Sequence, residues 1–254
     1  MTDTPQRTAF ITGASKRIGR ALALGLANQG WNIAIHYSSS EQDAKSLAEE
    51  IGQIGPRCCL IQADLNNAER VEALIGEACE ELGPLHALIN NASGFERDTI
   101  EEFSIDSWDS HLNTNLRAPA ILIRDFLKQA AKGANIINII DQRVWRLTPD
   151  FMSYTLSKTA LWSLTQTTAQ AVAPRGIRCN AIGPGPTLPN PRQERSEFDK
   201  QASLVPLGHG ATPDDILQAV LYIFSASAMT GQMIALDGGQ HLAWQTPDVT
   251  QVKE

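Results

Sequence analysis

Seven short apolar runs recur along the chain, and each is continuous rather than alternating. They are "TAFIT" (8–12), "NIAIHY" (32–37), "CCLIQA" (58–63), "HALIN" (86–90), "NIINII" (135–140), "IRCNAI" (177–182) and "QMIALD" (232–237). Runs of this length, rich in β-branched residues, read as strands buried on both faces. Between them lie longer stretches with helical spacing of apolar residues, at 17–29, 41–54, 67–82, 106–131, 152–173 and 213–225. Gly or Pro marks the joins, as at Gly30, 55–56, 83–84, Gly133 and 174–176. Buried strands alternating with helices specify an α/β fold: a doubly wound parallel sheet of about seven strands with helices on both faces. No composition shift, internal repeat or low-complexity tract divides the 254 residues, so 1–254 reads as a single domain. A chain of this size buries about three quarters of its unfolded surface, and its core needs no staples.

The bulk numbers exclude several functions. The net charge is −7 with no basic stripe, which argues against a nucleic-acid partner. Cys58, Cys59, Cys79 and Cys179 show neither a C-x-x-C pair nor ligand spacing, so they read as reduced thiols and no metal is expected. No apolar run reaches the roughly 20 residues of a membrane span. The start, "MTDTPQR", lacks the apolar core of a secretory leader, and a cytoplasmic location is expected. One segment, 183–212, breaks the rhythm with prolines and polar residues directly after a strand. At that place it reads as a substrate lid with a short helix near 194–203, the competing reading being a disordered insertion. The last residues, "QTPDVTQVKE", read as a frayed tail.

The turn after the first strand carries the first chemical signal. In "TGASKRIGR" (12–20), Gly13 and Gly19 frame a turn into a helix, and Lys16, Arg17 and Arg20 crowd that helix's N-terminus. This end already bears partial positive charge, so added cations make sense if an anion fills it. A phosphate-rich dinucleotide is such an anion. The second strand then ends "HYSSSE", with no acid before Glu41. A carboxylate there would hold a ribose 2′-hydroxyl and repel a 2′-phosphate. Hydroxyls, the His36 imidazole and a nearby Arg would accept the phosphate, so NADP(H) is preferred over NAD(H). The serines could instead cap the next helix.

At this point six motifs stand in order: "TGASKRIG" (12–19), "NNAS" (90–93), Asn115 in "NTNL", "YTLSK" (154–158), "NAIGPGPT" (180–187) and "ALDGG" (235–239). Together they resemble a short-chain dehydrogenase/reductase, a Rossmann-like fold, across nearly the whole chain. The departures are more telling. Arg17 stands where the family has its middle turn glycine, Asp141 stands 13 residues before Tyr154 where the family has a serine, and Phe95 follows "NAS". That combination resembles the pteridine reductase branch with its dihydromonapterin and dihydrofolate reductase relatives. The resemblance implies Asp141, Tyr154, Lys158 and Asn115 as catalytic residues, with Asn115 preferred over Asn113 because it matches the motif. It implies Arg17, Phe95, Asp141 and Tyr154 as substrate contacts, with Phe95 stacking on a pterin. For NADPH it implies Gly13, Ser15, Arg17, Ile18, Gly19, His36, Tyr37, Ser38, Asp64, Leu65, Asn91, Ala92, Tyr154, Lys158, Pro184 and Gly185. It also implies a homotetramer paired through 106–131 and 152–173.

The residue chemistry agrees. Tyr154 and Lys158 are four apart in a helical stretch and share a face. A nearby ammonium is expected to lower the tyrosine pKa and make it a proton donor near neutral pH. An ionised Asp141 would repel the oxyanion that forms when a ketone is reduced, yet it would attract the positive charge of a protonated C=N. A protonated Asp141 would instead donate as a serine does. The expected function is therefore reduction of a pterin-like small molecule. The alternatives are reduction of a ketone or 3-oxoacyl substrate, or a dinucleotide-binding regulator without turnover.

Overall fold

In a computed structural model, which describes residues 6–190 and 193–245, all seven expected strands form one parallel sheet. They are β1 (Thr8–Ile11), β2 (Asn32–Tyr37), β3 (Cys58–Gln62), β4 (Ala87–Asn90), β5 (Asn135–Ile139), β6 (Arg178–Pro184) and β7 (Met233–Leu236). The spatial order is β3-β2-β1-β4-β5-β6-β7, so the winding reverses between β1 and β4. Open α/β sheets place ligands outside the C-terminal ends of the strands at such a point.

Side-chain alternation explains the two layers. In β1, Ala9 and Ile11 face one layer and Phe10 the other; in β4, Ala87 and Ile89 oppose Leu88 in the same way. The first layer is completed by α1 (Arg17–Asn28), α2 (Glu41–Ile54) and α8 (Pro213–Ser225), which contribute Leu22, Leu26, Leu47, Ile51, Ile216 and Ile223. The second is completed by α3 (Ala68–Leu82), α5 (Ala118–Gln129) and α6 (Met152–Val172), which contribute Leu74, Ala78, Leu122, Phe126 and Val172. On α1, Gly25 lets α8 close in, since a β-carbon there would lie 2.2 Å from a Leu217 methyl. The capping box of Thr212 and Asp215 starts α8.

The expected helix 106–131 is broken. It is α4 (Ile105–Leu112), a π turn (Asn113–Arg117) and then α5. Pro119 gives the reason: its ring clashes with the carbonyl four residues back, that of Asn115, and it has no N–H to offer. The widened turn relieves this, and such bulges often mark functional places. Inside the segment 183–212, α7 (Arg195–Ser203) forms near the expected 194–203. The end expected to fray lies outside the described residues from 246 onward. Among the described residues the four cysteines are free thiols, no His, Cys, Asp and Glu cluster could hold a metal, and no helix is long and apolar enough to cross a membrane.

Candidate active site

A cleft of about 800 Å³ opens over the C-terminal ends of β1, β2, β4, β5 and β6. At one end lies the glycine turn. Gly13 sits in the left-handed region at φ 61°, and a β-carbon on Gly19 would lie 2.2 Å from the Gly13 carbonyl, so both positions require glycine. Thr12 Oγ1 accepts from the backbone N–H of Asn91 and of Ala92, both at 2.9 Å. Asn91 Nδ2 donates back to the Thr12 and Gly13 carbonyls. The turn is thereby stitched to the end of β4.

His36 is placed differently from the sequence expectation. Its side chain is buried in the sheet, 1% exposed, and does not line the cleft. Nδ1 accepts from the Gly13 N–H at 3.0 Å, so Nε2 carries the proton and donates to the Ala63 carbonyl at 3.2 Å. Burial pushes its pKa down to about 4, with Arg70 adding to the fall. His36 is a neutral brace behind the turn and no phosphate ligand. Asp64 and Leu65 also stay out of the cleft wall. The chain after β3 closes its own turn, with Asp64 Oδ1 accepting from the Asn66 N–H, and Leu65 turns into the core.

The three cations take separate partners. Lys16 pairs with Asp43 at 3.0 Å and Arg20 with Glu50 at 2.5 Å, both acids on α2. Arg17, itself at φ 55°, lines the cleft and donates to the carbonyls of Pro189 at 2.6 Å and Leu188 at 3.3 Å. Ser15, Ile18, Tyr37 and Ser38–Ser40 line the same end. Ser40 starts α2 without a side-chain capping bond, which removes the capping reading for that residue.

At the other end, the Tyr154 hydroxyl donates to Asp141 Oδ2 at 2.8 Å. Asp141 Oδ1 accepts from the Arg143 N–H at 2.8 Å, and the Arg143 side chain lies 3.9 Å away. Burial raises the Asp141 pKa, against the opposing pull of Arg143, Tyr154 and Lys158. Lys158 Nζ donates to the Ile139 carbonyl at 2.9 Å and stands 5.8 Å from the Tyr154 ring centre. Burial lowers its pKa to about 8, while Asp141 pulls it up. The expected acidification of Tyr154 does not occur. Burial and the Asp141 charge hold its pKa well above the usual 10, so the phenol keeps its proton.

Phe95 lines the cleft edge-on to Tyr154, at 4.7 Å and 81°. It stacks on Phe151 at 4.5 Å and 5°, and Arg143 covers that pair. Asn115 is fully buried and outside the cleft wall. Its amide accepts from the Gly94 N–H at 2.8 Å and donates to the Gly94 carbonyl and Ser157 Oγ. It therefore holds the loop that carries Phe95. The structure brings Ala92, Pro184 and Gly185 to the cleft with the rest.

Sequence reasoning missed the rest of that anchor. The His111 Nε2 accepts from the Glu96 N–H at 3.0 Å, and its Nδ1 meets Ser153 Oγ at 2.6 Å. Ser153 Oγ also donates to Asp98 in a short bond. All three side chains are buried. The available signal was spacing: His111 and Asn115 are four apart on one helical face.

Comparison with known proteins places this geometry. A family model described as enoyl-(acyl carrier protein) reductase matches residues 13–241. A 3-oxoacyl-[acyl-carrier-protein] reductase, FabG, of Staphylococcus aureus is 32% identical over 93% of this chain and 98% of its own length. The structure of FolM alternative dihydrofolate reductase 1 from Brucella canis, complexed with NADP, superposes with a TM-score of 0.92 at 44% identity, covering 96% of this chain and 97% of that one. The same protein from Brucella suis, also with NADP, gives 0.92 at 44% over 98% and 99%. The chain belongs to the short-chain dehydrogenase/reductase family.

Proposed function

We propose that the protein is an NADPH-dependent reductase that takes a dihydropterin to its tetrahydro form. The cleft fits the dinucleotide on its own residues. Gly13 and Gly19 line it without side chains, which leaves its floor open to the close approach of a phosphate. Among the described residues the only carboxylates in its wall are Glu96 and Asp141, both beside Phe95 and Tyr154 and away from the β2 end. Ser38, Ser39 and Ser40 at the β2 end suit a 2′-phosphate that an acid would repel. Gly13, Ser15, Ile18, Gly19, Tyr37, Asn91, Ala92, Pro184 and Gly185 would hold the remainder, with Arg17 beside it. When bound, the dinucleotide supplies the hydride.

One observation carries the choice of substrate: the 2.8 Å hydrogen bond from Tyr154 to a carboxylate. Reducing C=N adds hydride to carbon and a proton to nitrogen, so the site must lose one proton per turnover. The Asp141–Tyr154 pair holds a proton that burial keeps in place, and its negative charge favours a protonated ring nitrogen. A ketone asks for the opposite, donors aimed at a growing oxyanion. Phe95 offers a flat wall to a flat heterocycle. Lys158 supports the pair with its charge, and Asn115 supports it indirectly by holding the Phe95 loop. The FolM relatives, described as alternative dihydrofolate reductases, support the same reading.

We take 183–212 to be the lid, since Leu188, Asn190, Phe198 and Gln201 from it line the cleft. A cytoplasmic homotetramer is proposed as well. Exposed Ile105 on α4 and Leu156 on α6 support pairing through those helices. The test is NADPH consumption with a substrate panel. Turnover of dihydrobiopterin or dihydromonapterin is the expected result. Turnover of 3-oxoacyl substrates alone would overturn it, and dinucleotide binding with no turnover at all would favour a regulator.

A further inference from the structure

A second cavity, of about 680 Å³, adjoins the cleft. The two share Gln193, Gln201 and Gln240, and Gln193 donates to Gln201 at 3.0 Å across the shared wall. Beyond them the annex is lined by Arg146 and Lys200.

Arg146 is unusual in this chain. Among the described residues, every other arginine has its guanidinium on a carboxylate, a carbonyl or an aromatic ring. Arg146 takes part only through its backbone, donating to Gln142. Its guanidinium, like the Lys200 ammonium, has no partner among the described residues. Among the described residues Glu197 is the one carboxylate in the annex wall, beside the two cations. In an acidic protein of net charge −7, an exposed Arg and an exposed Lys, neither with a side-chain partner among the described residues, share one hollow, where a negative group would meet both.

We propose that the annex holds an anionic substituent of the substrate, with Arg146 and Lys200 as its counter-ions. The inference rests on the pterin reading above. A ring lying against Phe95 and Tyr154 occupies the shared cleft, and its exocyclic chain leaves past the three glutamines. The glutamines hydrogen-bond an amide or hydroxyls along that chain, and its terminal carboxylate reaches the cations. The preferred substrate class is therefore a reduced pterin whose side chain ends in carboxylate, as the benzoylglutamate tail of dihydrofolate does. The annex volume is in the usual range for such a group.

The experiment compares dihydrofolate with dihydrobiopterin, whose short side chain is uncharged, on the wild type and on Arg146→Gln/Lys200→Gln. Neither side chain makes a hydrogen bond or ion pair among the described residues, so the variant is expected to fold as the wild type does. KM for dihydrofolate should rise about fivefold with kcat unchanged, while KM for dihydrobiopterin and for NADPH should stay within about twofold. Arg146→Lys, which keeps the charge, should restore most of the loss. Rising ionic strength should weaken dihydrofolate binding in the wild type more than in the variant. Equal changes for the two pterins, or no change for either, would overturn the annex while leaving pterin reduction standing. A wild type that reduces neither pterin would overturn the pterin reading and the annex with it.

Discussion

The Tyr154 hydroxyl donates a hydrogen bond to Asp141 Oδ2 at 2.8 Å, and burial disfavours the charged form of both groups. The pair therefore behaves as one acid holding a proton at the cleft wall. Replacing the carboxylate by a hydroxyl keeps a hydrogen-bond partner for Tyr154 and removes the charge that favours a protonated nitrogen. Asp141→Ser should lower kcat/KM for a dihydropterin at least tenfold, about 1.4 kcal/mol in the transition state. Steady-state kinetics at fixed NADPH measures this, and unchanged values would remove the carboxylate from the mechanism.

Lys158 should show opposite trends in activity and stability. Its pKa in the fold is about 8, below the ordinary 10.5, because the ammonium is buried. As pH rises through 8 the native state loses this proton first, and its charge beside Asp141 goes with it. kcat/KM for NADPH, which reports free-enzyme groups, should fall above about pH 8. Between 8 and 10.5 the unfolded chain binds more protons at this site than the native one, so this group's contribution to stability rises with pH. Parallel rate and unfolding measurements on wild type and Lys158→Met isolate both effects. An activity profile flat to pH 10 would show that the ammonium is not required.

The elements were legible because buried parallel strands are continuous apolar runs, and these are hard to mistake when glycine and proline punctuate them. Tyr154 and Lys158 were legible as a pair for a similarly local reason, since a helix fixes i and i+4, whereas Asp141, 13 residues before Tyr154 and outside that helix, was implied only by the family resemblance. What could not be read depends on depth or on distant partners. The sign of the Tyr154 shift follows from burial, which no spacing reveals. His36 looked like a phosphate ligand because it ends a strand near the turn, but alternation turns it inward to meet Gly13 and Ala63. The break at 113–117 was written in Pro119, whose clash with the Asn115 carbonyl is a local rule, and it was missed inside an otherwise helical pattern.

His36 should matter to stability before it matters to binding. His36→Leu leaves the Gly13 N–H without its acceptor, at a cost of about 1–3 kcal/mol, and should raise KM for NADPH through the loosened turn. The pH dependence identifies the cause. With a folded pKa near 4 against 6.5 unfolded, the native state gives up stability as pH falls from 6.5 towards 4, because the unfolded chain takes the proton first. The leucine variant lacks this loss, so the stability gap between the two proteins should narrow on acidification. Denaturant midpoints at pH 7 and pH 4.5 would show it, and a constant gap would mean that the imidazole is not held neutral.

Arg17 links the glycine turn to residues 172 and 171 positions further on, through Pro189 and Leu188. Its backbone is left-handed, at φ 55°, a conformation that costs a non-glycine residue about 1 kcal/mol. Arg17→Gly therefore relieves the backbone and cuts the tie to the segment at 188–189. Global stability should change little, while KM for the pterin should rise and protease cleavage within 183–212 should quicken. Because the guanidinium points to those carbonyls and Ser38–Ser40 line the β2 end, KM for NADPH and for NADH should shift by the same factor. A rise confined to NADPH would place the guanidinium on the 2′-phosphate during catalysis and make the tie to Pro189 secondary.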